Sequence, residues 1–107
     1  IDISGRIGGE EFAVLMPNTD ADDGRLAAER LRTAVASLQI KTADGAVIAP
    51  TISIGLAQLG ASESGTGLMA RADAALYRAK RGGRNRAEVA EPPTMGLHTE
   101  RAAAALV

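Results

Sequence analysis

Cysteine and tryptophan are absent from the 107 residues, and histidine, phenylalanine and tyrosine occur once each. Without cysteine there is no disulfide and no thiolate metal site, which suits a reducing cytoplasm. The lone His98 has no metal-type companions close in sequence and reads as incidental. With Phe12 and Tyr77 as the only aromatics, the chain has no platform on which nucleic-acid bases would stack. The apolar runs are too short to span a bilayer, and no signal peptide opens the chain. No charge of either sign dominates: the net charge of −1 gives no global pull toward nucleic acid or an acidic membrane surface. The length allows one domain, small for a self-sufficient enzyme. There is no initiator methionine, and Ile1 enters at the foot of a strand, so the chain reads as a fragment of a longer protein.

What is present begins with Gly5-Arg-Ile-Gly-Gly-Glu-Glu-Phe12 and an apolar run to Met16. Gly8 and Gly9 supply the positive φ angles of a tight hairpin turn between Gly5–Ile7 and Phe12–Met16. The run Phe12–Met16 is apolar without alternation and predicts a central strand covered on both faces, ended by Pro17. Asp20 caps a helix whose expected stripe is Ala27, Leu31, Ala34, Val35 and Leu38. A short ribbon, Leu38–Thr42 and Ala46–Ile48, turns at Asp44-Gly45. Thr51–Ala57 alternates as a strand with Ile52, Ile54 and Leu56 on one face. After a small-residue loop, Ala61–Gly67, a second helix covers Leu68–Arg81 with the stripe Leu68, Ala72, Ala75, Leu76 and Ala79. It is stopped in left-handed fashion by Gly82-Gly83. Ala87–Val89 adds a last strand. Residues 1–90 form the folded part, and 91–107, opening on Pro-Pro and closing on alanines, form a tail or linker that is disordered or helical. The fold class is α/β (α+β), a mixed sheet flanked by helices.

Two motifs carry chemistry. In Gly8-Gly9-Glu10-Glu11 the glycines allow backbone amides to approach a ribose or phosphate, and a carboxylate at the turn is a hard-oxygen ligand for Mg²⁺. A glycine hairpin with solvated acids explains the same four residues. In Ala75–Arg86 cations are concentrated: six of the twelve Lys and Arg residues lie between Arg71 and Arg86. Lys80 in the last helical turn and Arg84 after the glycine stop can converge on one anion. Cations at a helix C-terminus also favour the helix dipole with no ligand at all.

Taken together and in order, "RIGGEEFAVLMPNTD", "AERLR", "TISIGLA", "RADAALYRAK" and "GRNR" resemble the GGDEF domain of bacterial diguanylate cyclases, in its GGEEF variant, from Asp2 to about Val89. The resemblance implies a nucleotidyl-cyclase-like fold and the condensation of two GTP molecules into cyclic di-GMP and pyrophosphate by a homodimer, with Mg²⁺ or Mn²⁺ as cofactor. It implies that Glu10 is the metal ligand and candidate base, and that Glu11 fills the nearly fixed fourth position of the signature. By the same match Gly8 and Gly9 admit the nucleotide, while Lys80 and Arg84 hold its triphosphate. Asp2 matches the aspartate of an inhibitory Arg-x-x-Asp product site whose arginine would precede Ile1, and Arg30 matches a second arginine at bound product, though a solvated helix residue explains Arg30 equally. Asp73 and Asn85 also fall in family motifs, and a helix hydrogen bond and a turn explain them.

The departures from the family are on the N-terminal side. A strand with a second metal-binding aspartate, and helices with guanine contacts and another lysine, are not found, so the domain is N-terminally truncated. The parent protein is then expected to be the cyclase, cytoplasmic or tethered to a membrane sensor and joined to sensory or regulatory domains, with no nucleic-acid partner. The isolated fragment is expected to be inactive, with apolar surface at Phe12–Met16 prone to partner pairing or aggregation. A non-catalytic module that binds GTP or cyclic di-GMP and regulates an attached domain is the alternative.

Overall fold

The computed structural model describes residues 3–8, 11–92 and 99–107. Strands β1 (Ile3–Gly8) and β2 (Glu11–Pro17) form the expected antiparallel hairpin, with Gly8 opposite Glu11 and a register shift between Arg6 and Gly8. Helix α1 (Ala21–Ala36) starts where Asp20 accepts the Asp23 N–H at 2.8 Å, with Asp22 and Asp23 at the positive end of its dipole. The ribbon is reduced to β3 (Ile40–Lys41) and β4 (Val47–Ile48), paired only with each other. Strand β5 (Ile54–Gly60) begins three residues later than its alternation suggests. Helix α2 (Gly65–Arg81) begins a turn earlier than predicted, because the Ser64 side chain caps it by accepting the Gly67 N–H at 3.0 Å. Strand β6 (Ala87–Val89) follows, and β7 (Thr99–Leu106) completes the elements.

Five strands lie in the order β1-β2-β7-β5-β6, with β5 and β6 parallel and the other pairs antiparallel. One face of this mixed sheet is covered by α2: Leu68, Ala72 and Leu76 pack on Ala13, Ala57, Ala104 and Leu106. On the other face Ala28 of α1 packs with Met16, Ile54, Leu56, Ala103 and Ala105. Strand residues alternate between these two cores, as the pleat requires.

The approach of α2 is set by Gly55. A Cβ at this position would stand 2.2 Å from the Ala72 carbonyl oxygen and 2.3 Å from the Leu76 nitrogen, so the helix backbone rests directly on a bare strand.

Three expectations are corrected. The segment 91–107 is not tail or helix throughout, since β7 takes the centre of the sheet, paired to β2 by Ala13–Leu106 and to β5 by Gly55–Leu106. Alanine is intrinsically a helix former, but here a gap between two apolar strands leaves room only for a strand of small side chains, and this packing overrides propensity. The same strand pairs with one edge of β2. Second, β2 is not covered on both faces along its length: Ala13 and Met16 are buried, but Phe12 and Leu15 are exposed. Third, α1 does not bury the predicted stripe. It meets the sheet through Gly24 and Ala28, whose small size allows close approach to Leu56, and Leu31 is left exposed.

Candidate functional site

Glu11, Lys80 and Arg84 meet at one end of the sheet. They line a cleft of about 190 Å³ together with Thr51, Ile52, Ser53 and Val107. Each side chain arrives from a different support. Glu11 opens β2, at the foot of the hairpin ladder. Lys80 lies in the last turn of α2, and Arg84 follows the helix stop. Val107 extends β7 alongside β2, its N–H donating to the Phe12 carbonyl at 2.9 Å.

The stop itself is unusual. Gly82 is the C-cap but has a negative φ of −79°, so it is not the left-handed residue. Three residues in succession take up that conformation instead: Gly83 at +119°, Arg84 at +63° and Asn85 at +47°. Asparagine tolerates this region, whereas a long side chain such as arginine enters it at a cost. The Arg84 N–H donates to the Ala79 carbonyl at 3.0 Å, which ties the turn to the helix and holds Arg84 near Lys80.

The charged side chains lining the cleft are two cations, Lys80 and Arg84, and one carboxylate, Glu11. Lys80 Nζ lies 4.0 Å from Glu11 Oε1, both side chains partly exposed, a weak pair that a bound anion can displace. Arg84 has no carboxylate partner among the described residues. At the opposite end of α2, Arg71 donates to both oxygens of Glu63 at 2.7 and 2.8 Å and to the Glu91 carbonyl at 2.8 Å, anchoring the helix start. The Arg71 guanidinium holds the Glu63 carboxyl below the ordinary range, against the opposing effect of its burial.

The structure thus brings together Glu11, Lys80 and Arg84 in one cleft, with Gly8 paired to Glu11 in the hairpin ladder. Asp2, Gly9 and Glu10 lie outside the described residues. Arg30 is exposed on α1, and its guanidinium makes no ion pair among the described residues. Asp73 is exposed on α2, and Asn85 is a turn residue as expected. Among the described residues no cluster of three or more acids, histidines or cysteines could enclose a metal ion. Glu11 is the carboxylate in the lining of the cleft, a hard oxygen donor of the kind of which Mg²⁺ takes one or two. Two contributors had no signal in the sequence: Val107, brought in by β7, and Arg32 of α1, whose Nη1 donates to Asn85 Oδ1 at 3.0 Å across 53 residues.

Comparison with known proteins gives one consistent result. Residues 1–86 match the family model described as diguanylate cyclase, GGDEF domain. The chain is 46% identical over 89 residues to diguanylate cyclase DgcP of Pseudomonas aeruginosa, covering 83% of this chain and 13% of that protein. It is 42% identical over 87 residues to the response regulator PleD of Caulobacter vibrioides, covering 79% of this chain and 19% of PleD. The crystal structure of the GGDEF domain of DgcB from Caulobacter crescentus in complex with c-di-GMP superposes with a TM-score of 0.79 at 41% identity, over 82% of this chain and 53% of that one. The chain therefore spans about half of the solved domain and less than a quarter of these curated relatives. Strand β7 lies beyond the residues matched by the family model. Among the described residues no helix is long and apolar enough to cross a membrane.

Proposed function

The chain belongs to the GGDEF domain family of diguanylate cyclases, and on that basis we propose that it is the C-terminal part of a cyclase condensing two GTP into cyclic di-GMP and two pyrophosphates. The observation that carries the proposal is the convergence of Lys80 and Arg84 on one cleft beside Glu11, at the foot of the Gly-Gly-Glu-Glu hairpin. In this reading Lys80 and Arg84 grip the β- and γ-phosphates, the part of GTP that departs, and Gly8 and Gly9 let the backbone approach the nucleotide. Mg²⁺ or Mn²⁺, held by Glu10 with Glu11 adjacent, would neutralise phosphate charge when bound. Glu10 is the candidate base that takes the proton of the attacking 3′-hydroxyl. A new bond forms from that oxygen to the α-phosphorus of the second GTP. The bond from this phosphorus to the bridging oxygen breaks, and pyrophosphate leaves with the electron pair.

Each domain presents one GTP, so turnover requires two copies facing each other. Asp2 and Arg30 belong in this proposal to a product-inhibition site. Because the chain spans about half of the solved DgcB domain, the isolated polypeptide is expected to bind the phosphate tail weakly and not to turn over.

The test uses the longer protein that carries this chain, in the cytoplasmic setting proposed for it. Incubated with GTP and Mg²⁺ at concentrations that favour dimers, it should yield cyclic di-GMP, and Glu10→Gln should abolish the product. Tight GTP or cyclic di-GMP binding without turnover would select the alternative, a binding module that regulates an attached domain. The c-di-GMP held in the DgcB crystals is what both a product-inhibited cyclase and a binding module would hold, so turnover is the deciding readout.

A further inference from the structure

The turn that presents Arg84 is under tension and is held from outside the α2 unit. Arg84 and Asn85 are consecutive non-glycine residues with positive φ, at +63° and +47°. On one side the Arg84 N–H is fixed to the Ala79 carbonyl at 3.0 Å, and on the other the Arg86 carbonyl accepts the Ile54 N–H at 2.9 Å. Between these points the tether is a side chain of α1: Arg32 Nη1 donates to Asn85 Oδ1 at 3.0 Å. The remaining edge of that guanidinium is itself fixed, with Nε and Nη2 donating to the Glu29 carboxylate at 3.1 and 2.9 Å. The Arg32 side chain is only 22% exposed, whereas Asn85 is exposed, so this is a charge-assisted bond at the surface whose donor side is held by the fold.

We infer that Arg32 is a positioning residue for the anion site: oriented by Glu29, it clamps Asn85 in the left-handed turn and so aims Arg84 into the cleft it shares with Lys80 and Glu11. The inference rests on the proposed role of Arg84 in holding phosphate. Its physical content is preorganisation. A turn that would otherwise sample commoner backbone angles is kept in the competent state, and apparent affinity falls in proportion to any loss of that state.

The experiment compares the full chain with its Arg32→Met, Arg32→Lys, Asn85→Gly, Asn85→Asp and Arg84→Ala variants. Backbone ¹⁵N order parameters report on the turn, and calorimetric titration with inorganic triphosphate reports on the site. Asn85→Gly accepts the positive φ without strain but removes the acceptor, so it loosens the clamp with no demand on folding. In Arg32→Met and Asn85→Gly the order parameters of Arg84 and Asn85 should fall from a rigid value near about 0.85 toward about 0.6, while those of β5 stay unchanged. Triphosphate affinity should drop on the order of tenfold, the worth of a hydrogen bond to a charged group at the low end of its range. The double variant should add nothing further. Asn85→Asp, which keeps the acceptor oxygen but adds a negative charge, should retain the order of the turn, and Arg32→Lys should recover order and affinity in part. A role confined to stability would lower the melting temperature without moving the order of these two residues. Unchanged order of Arg84 and Asn85 in both loosened variants, with triphosphate binding intact, overturns the clamp. Equal triphosphate binding by wild type and Arg84→Ala overturns instead the phosphate-gripping role of Arg84, whatever the state of the turn.

Discussion

Replacing Gly55 by alanine adds one methyl group, and the structure assigns it a disproportionate cost. The new Cβ would stand 2.2 Å from the Ala72 oxygen, 2.3 Å from the Leu76 nitrogen and 2.7 Å from its Cα. All three are backbone atoms, so no side-chain rotation relieves the clash, and α2 must rise from the sheet by about 1 Å to restore contact distance. A gap of that size forfeits roughly a quarter to a half of the dispersion well for each contact across it. The contacts at risk include those of Leu68, Ala72 and Leu76 with Ala13, Ala57, Ala104 and Leu106. The expected penalty is therefore at or above the top of the usual overpacking range, about 3 kcal/mol. Against a total stability of about 5–15 kcal/mol this leaves little margin, and it corresponds to a fall in melting temperature of about 12–24 °C. Two controls calibrate the estimate. In Gly24→Ala the added group meets only the ends of the Leu56 side chain at 3.0 and 3.1 Å, and the gain in helix propensity of about 0.8–1 kcal/mol offsets that crowding. In Gly5→Ala nothing lies within 4 Å, so stability should move by less than about 0.5 kcal/mol. Thermal melts and urea titrations of the three variants decide the matter. If Gly55→Ala melts within a few degrees of wild type, or Gly24→Ala is the worse of the two, the account of how α2 is seated is wrong.

Two further outcomes are expected. Because its folded pKa lies below the ordinary value of 4.5, Glu63 stabilises the fold above that pH and ceases to as pH falls through the lower value. Urea midpoints of wild type and Glu63→Gln should accordingly differ at pH 7 and converge in acid, and parallel curves down to pH 3 would refute the pairing with Arg71. The amides of Ala103, Ala104 and Ala105, paired with β2 or β5 in the middle of the sheet, should exchange with solvent as slowly as those of β5. Exchange as fast as in an unstructured tail would remove β7 from the fold.

How far these features could be read in advance depended on whether the signal was local. All five residues of the α2 stripe, Leu68, Ala72, Ala75, Leu76 and Ala79, are buried, because a helix lying flush on a sheet displays its period directly in the sequence. Lys80 and Arg84 reach a common cleft because both hang from the end of that one helix. The stripe of α1 misled for the opposite reason: Gly24 carries no side chain to count as apolar, yet its bareness decides which face meets the sheet. Strand β7 had no period to detect, since Arg-Ala-Ala-Ala-Ala-Leu takes its conformation from the gap it fills. The Arg32–Asn85 bond joins residues 53 apart and leaves no pattern at either end.

The position of β7 also fixes the order in which the sheet can assemble. The β1–β2 hairpin closes over a few residues, and β5, α2 and β6 follow one another along the chain, so each half can form from local contacts. Joining the halves requires a segment whose contacts reach back more than 80 residues, as from Arg101 to the Asn18 carbonyl at 3.1 Å and to Asp20. Closing so long a loop costs entropy before any pairing returns it, which places this final step among the slow events of folding. Until it occurs, the inner edges of β2 and β5 face each other as unpaired templates, open to any extended strand that arrives first.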